Sequence, residues 1–169
     1  MIFHYTKGGC LVEILETAVI RCSTLGVRKR EQAVWFTVRE DCEPTAIPAR
    51  IKEGRIYTFE FSEADRLFGM ARVRVAEETA PYGWTEYKRM SGMKPRVAKE
   101  LYARATRDGS RPGGWRVSFE PVHEDKWLAV EVWGGDRWRP YEESDLERYR
   151  NLAADLEPLD SQGMDFRLA

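Results

Sequence analysis

Lys126-Trp127-Leu128-Ala129-Val130-Glu131-Val132-Trp133 reads as a buried strand with one carboxylate inside it. Side chains of a strand alternate between its two faces. Trp127, Ala129, Glu131 and Trp133 therefore share one face, and Leu128, Val130 and Val132 share the other. Both faces are apolar, the pattern of a strand in the middle of a sheet. Glu131 breaks that pattern, and a carboxylate among tryptophans needs a partner, because an unpaired buried charge is very costly. Two readings follow. Glu131 is half of a structural ion pair or sits at an edge, or it is a catalytic carboxylate with a raised pKa. Only other residues converging on it can decide.

The layout around this strand comes from the same patterns. Gly134-Gly135-Asp136 joins it tightly to Arg137-Trp138-Arg139, which predicts a hairpin. Upstream, Trp115 to Glu120 reads as a strand, with a turn over Gly109 to Gly114 before it. Ile2 to Tyr5 and Ala33 to Val38 are strands of strong β-formers, Gly54 to Phe61 alternates, and Met70 to Val75 is a strand with Arg72 and Arg74 on its wet face. Helices are predicted from near Gly8, with Thr6 as cap and Leu11, Ile14, Leu15 and Ala18 on one face, and over Thr85 to Met90 and Arg96 to Arg107. Ser144 caps a last helix to about Leu156. Ser23 to Gln32 and the proline-containing Glu40 to Pro48 read as loops, and His123 falls in an exposed one. Helices lie between strands without regular alternation. The class is α+β, with a mixed or antiparallel split sheet and flanking helices.

A chain of 169 residues with 43% apolar and 12% aromatic content is long enough for a real core, and residues 1–157 read as one domain followed by an acidic tail over 158–169. The formal net charge of -1 gives no global attraction to nucleic acid or an anionic membrane. No apolar run approaches the length of a membrane span, and the first residues lack a secretory pattern, so a cytoplasmic protein is expected. Cys10, Cys22 and Cys42 are too widely spaced for a Cys-x-x-Cys metal pair, and the two histidines complete no zinc set. No phosphate-binding glycine loop and no Gly-x-Ser-x-Gly elbow is present. Charge is uneven: Lys88, Arg89, Lys94, Arg96, Lys99, Arg104, Arg107, Arg111 and Arg116 meet only Glu86, Glu100 and Asp108 between Thr85 and Arg116. This is either a pair of solvated helix faces or a docking surface for an acidic partner or nucleic acid.

Three short motifs remain, in order: Phe3-His4-Tyr5-Thr6 leading into Leu11-Val12-Glu13-Ile14-Leu15, then Val34-Trp35-Phe36-Thr37, then Glu131 in a late strand. This series resembles the ADP-ribosyltransferase superfamily, in the branch whose motifs run His, aromatic, Glu, including DNA-targeting toxins and RNA phosphotransferase-like members. The resemblance spans most of the chain. It implies that fold, NAD as substrate with no metal, and a macromolecular acceptor, protein or nucleic acid. It gives Glu131 the catalytic role of stabilising the positive charge that develops on the ribose. It gives His4 a ribose hydroxyl, the Tyr5 backbone the carboxamide, Thr6 the same region, and Trp35 or Phe36 the nicotinamide face. A second aromatic clamp is not evident, and Tyr57 is a candidate for it. Ala129 stands where arginine-modifying members carry a second carboxylate, so arginine is not the expected target. Glu120 is the next carboxylate in line. A non-catalytic descendant that docks a partner through the basic 85–116 face, and a small nucleic-acid binder, are the other classes.

Overall fold

The computed structural model describes residues 1–24, 28–52 and 55–160. It is an α+β structure with a mostly antiparallel sheet and five α-helices. The strands are β1 (Ile2–Lys7), β2 (Val19–Ile20), β3 (Val34–Thr37), β4 (Ala49–Lys52), β5 (Arg55–Thr58), β6 (Met70–Val75), β7 (Tyr82–Gly83), β8 (Trp115–Ser118), β9 (Val122–His123), β10 (Trp127–Trp133) and β11 (Trp138–Pro140). The helices are α1 (Gly8–Thr17), α2 (Phe61–Phe68), α3 (Trp84–Ser91), α4 (Pro95–Arg107) and α5 (Glu143–Asp160). The principal sheet has the order β11-β10-β6-β1-β3-β8-β7, and β2-β9 and β4-β5 form two-stranded ribbons. Every pair with a described register is antiparallel. No described helix is long and apolar enough to cross a membrane.

The chain divides into two compact units, one of Met1–His4, Ala18–Pro44 and Arg74–Leu128, the other of Tyr5–Thr17, Thr45–Val73 and Ala129–Ala169. In the first, β3 lies between the start of β1 and β8, with Phe3 opposite Thr37 and Trp35 opposite Val117. Its core is aromatic. Trp35 packs edge-on against Tyr87 at 4.5 Å and against Trp115 at 5.7 Å, and Trp84 stacks on Tyr87 at 5.9 Å. Such ring pairs add about 0.5–1.5 kcal/mol each beyond the area they bury. α3 carries Trp84 and Tyr87 three residues apart, so both rings reach the sheet from one face. Gly92, left-handed at φ 61, ends it.

In the second unit Tyr149 of α5 is fully buried, and its ring lies flat against Gly8 and Gly69. A Cβ at either glycine would come closer than 3.0 Å to the ring. Gly69 also has φ 66 and ψ 139, a conformation confined to glycine. Its carbonyl accepts the Gly8 N–H at 2.9 Å, tying the start of α1 to the end of α2. β10 and β11 form the hairpin, with Trp133 opposite Trp138 and Gly135 at φ 98 in the turn.

Several expectations change. β1 runs on through Thr6 to Lys7, so Thr6 is a strand residue and not a cap. The strand expected over 54–61 stops at Thr58, and Phe61 opens α2 instead, because Phe61, Ala64 and Phe68 recur at helical spacing; Gly54 lies outside the described residues. β4 had no anticipated counterpart. Residues 25–27 of the loop expected over 23–32 also lie outside the described residues; within the rest, Lys29–Glu31 forms a 3-10 turn. Arg72 is not on a wet face but only 7% exposed. β10 is flanked by β11 and β6 as an interior strand should be, yet Leu128 is 55% exposed, so its second face is not covered along its length. α5 already includes Ser144 in its first turn and continues to Asp160; the rest of the expected tail, 161–169, lies outside the described residues.

Gly69→Ala should lower the melting temperature by several degrees, from backbone strain of about 1–3 kcal/mol plus displacement of the Tyr149 ring. In a chain of this size about 2–4 °C is expected per kcal/mol. Thermal melts of the variant check this, and an unchanged midpoint would show that the ring niche is not tight.

Candidate functional site

The residues singled out by the three motifs fall into two groups, one in each unit. His4, Trp35 and Phe36 belong to the first. β1 and β3 are hydrogen-bonded neighbours, so His4 arrives beside the second motif. The His4 Nδ1–H donates to the Trp35 carbonyl at 2.9 Å. A carbonyl can only accept, so this bond fixes the tautomer: Nδ1 carries the proton and Nε2 is left as an acceptor. Nε2 has no hydrogen-bond partner among the described residues. The Phe36 ring stands 5.7 Å from the imidazole. Burial lowers the His4 pKa below 6.5, outweighing the carbonyl bond that raises it, so the ring is neutral at pH 7.

Trp35 and Phe36 do point to opposite faces, as alternation requires. The Trp35 ring is committed to the aromatic core, with Trp84, Tyr87 and Trp115 around it. Phe36, on the other face, is 2% exposed. Glu120 lies exposed just beyond β8, its N–H donating to the Ser118 hydroxyl.

Tyr5, Thr6, Tyr57 and Glu131 belong to the second unit. The Glu131 carboxylate accepts from Arg72 Nε at 2.7 Å, with the two side chains 13% and 9% exposed. The Arg72 guanidinium also lies over the Trp138 ring, 4.6 Å from its centroid, and Trp138 packs on Tyr5 at 5.5 Å. Two motif residues, Tyr5 and Glu131, are thus linked through Arg72 and Trp138. Of the two readings of Glu131, the ion pair is the arrangement present. A charge-assisted hydrogen bond capped by an aromatic face satisfies a carboxylate that burial would otherwise penalise. Thr6 is buried, and Tyr57 is 42% exposed on β5.

Sequence reasoning missed Arg72 and Trp138. The available signal was that Met70-Ala71-Arg72-Val73-Arg74-Val75 and Val130-Glu131-Val132 set charges of opposite sign among apolar strand residues. It also missed Glu43, which is 5% exposed and accepts from the Ser110 hydroxyl, while Trp115 Nε1–H donates to the same Ser110 oxygen at 3.2 Å. Among the described residues no three His, Cys, Asp or Glu side chains gather as a metal ion would need. The three cysteines are free thiols, and burial, reinforced by Glu43, pushes Cys42 up to about 12.

Compared with models of protein families, with curated proteins and with solved structures, the chain has no significant match.

Two measurements follow from this geometry. Glu131→Gln should cost about 3–5 kcal/mol by stranding Arg72, and replacing both partners with apolar residues should recover much of the loss. Denaturant unfolding of the single and double variants checks this; a neutral single variant would mean that the pair is dispensable. For His4 the sign is set by a folded pKa below the unfolded value of 6.5. Above that value both states are neutral. As pH falls below it the unfolded chain binds the proton first, so stability drops by up to about 1.4 kcal/mol per pH unit until the folded pKa is reached. The stability difference between wild type and His4→Gln should therefore shrink between pH 7 and pH 5, and a pH-independent difference would contradict a buried neutral imidazole.

Proposed function

We propose that this protein is an NAD-dependent ADP-ribosyltransferase acting on a macromolecule. The observation that carries the reading is the state of His4: a neutral ring, locked through Nδ1, with Nε2 as an unused acceptor beside an aromatic residue of the second motif. His4 is half-buried and its Nε2 is not an orphaned buried atom, so that nitrogen is open to a donor from outside the protein. A ribose hydroxyl is a donor of the kind that Nε2 lacks.

The chemistry assigns each residue type a task. The bond between ribose C1′ and the nicotinamide nitrogen breaks, and nicotinamide leaves with the bonding electrons. Positive charge then develops on the ribose and favours a nearby anion. An acceptor nucleophile forms the new bond to C1′ and releases its proton. The resemblance gives the anionic role to Glu131, and Arg72 then becomes the residue that orients it. Trp35 is half-buried against the aromatic core and Phe36 is 2% exposed, so the nicotinamide face stays with either residue, as the resemblance gives it. A purely binding role is the second reading, favoured by the engagement of Glu131 with Arg72, which a structural pair would show equally.

NAD at a hundredfold excess over its dissociation constant should stabilise the protein by about 2.7 kcal/mol. His4→Ala should lose most of that gain, measured against its own ligand-free melt. Glu131→Gln should keep the shift, because the lost interaction matures in the transition state. It should lower nicotinamide release per folded molecule by about 10²–10³-fold. No shift with NAD, or a shift unaltered in His4→Ala, would overturn the proposal.

A further inference from the structure

The face formed by α3 and α4 carries a groove of about 660 Å³ that the nicotinamide chemistry does not use. Its base is apolar: Trp84 and Ala98 are buried and Met93 is half-buried. Its borders hold Lys88, Arg89 and Lys99. None of these three cations, nor Lys94 beside them, has an ion-pair partner among the described residues. The other charges of the same helices are already answered, Arg96 by Glu100 at 3.6 Å and both Arg104 and Arg107 by Asp108. α4 further exposes Val97, Leu101 and Tyr102, at 38%, 40% and 47%. Of these three, Tyr102 also lines the groove. Beyond Tyr102 a second depression is lined by Glu86 and by Glu77, the latter paired with Arg116 at 3.1 Å. The unanswered positive charge lies on the side of Lys88, Arg89 and Lys99.

We infer that this groove docks an acidic peptide segment of a partner protein, with an apolar side chain seated between α3 and α4 and carboxylates on Lys88, Arg89 and Lys99. A nucleic acid fits less well for two reasons. Binding a strand draws on stacking platforms, but Trp84 is 7% exposed and has the Lys88 ammonium over its ring at 5.6 Å, leaving Tyr102 as the accessible aromatic of the groove. Three border cations also neutralise few phosphates, and a net charge of -1 adds no long-range attraction to a polyanion. An apolar base with a cationic border matches alternating Asp or Glu and Leu instead.

The test uses the full chain and a short fluorescent peptide of alternating Asp, Glu and Leu, followed by anisotropy. The peptide should bind, more weakly as salt rises. The double variant Arg89→Glu/Lys99→Glu, whose side chains are exposed and whose melt should match wild type, should weaken binding at least tenfold. Replacing each Leu of the peptide by Ser should cost a similar factor, because the apolar contact is then lost. An oligo-dT strand of equal length should fail to compete. Equal binding by the charge-reversed protein, equal binding of the Ser peptide, or tighter binding of oligo-dT than of the peptide would each overturn the inference. NAD is absent from every arm, so the result stands apart from the transferase reading.

Discussion

Trp35 is the residue on which the first unit depends. Its ring sits among Trp84, Tyr87 and Trp115, and its backbone carbonyl takes the His4 Nδ1–H. The ring helps to seat α3 against the sheet by packing on Trp84 and Tyr87, which also meet Trp115 and Phe119. Seating α3 in that way turns Arg89 outward and sets one wall of the groove. The carbonyl holds the imidazole in a single tautomer. One strand residue therefore ties the aromatic core both to His4 and to the α3–α4 groove.

The second unit places charge inside apolar surroundings and satisfies it. Arg72 and Glu131 meet at 2.7 Å under the Trp138 ring. Arg139 makes two bonds to Asp145, at 2.7 and 2.8 Å, and the Glu142 N–H donates to that same carboxylate. Those bonds keep the Asp145 pKa below the usual carboxylate range. Desolvation makes such pairs weak contributors to net stability, but removing one partner is strongly destabilising. They fix geometry more than they add free energy. The niche of Gly8 and Gly69 around Tyr149 does similar work by shape.

Strong local patterns were legible. The alternating runs gave β1, β3, β6, β8 and β10, the Gly134-Gly135 turn gave the hairpin, and the punctuation by Gly92 and Pro95 separated α3 from α4. The failures share a cause. Phe59 and Phe61 fit a strand face as well as a helix start, and only packing with Phe68 and Trp133 decides between them. Arg72 looked solvated because its partner is 59 residues away. Periodicity put Trp35 and Phe36 on opposite faces, but the rings that Trp35 meets, Trp84, Tyr87 and Trp115, come from distant elements and could not be read locally. Short-range periodicity shows which face a side chain takes, and long-range contacts decide what it meets there.

The tautomer of His4 and the proposed contact of its Nε2 with a ribose hydroxyl can be read in one experiment. The chain has two histidines, so ¹⁵N spectra of histidine-labelled protein, assigned with a His4→Gln control, would resolve each ring. His4 should show the Nδ1–H tautomer at pH 7, and NAD should shift its Nε2 resonance while leaving Nδ1 nearly unmoved. An Nε2–H tautomer, or an Nε2 resonance indifferent to saturating NAD, would overturn the proposed contact.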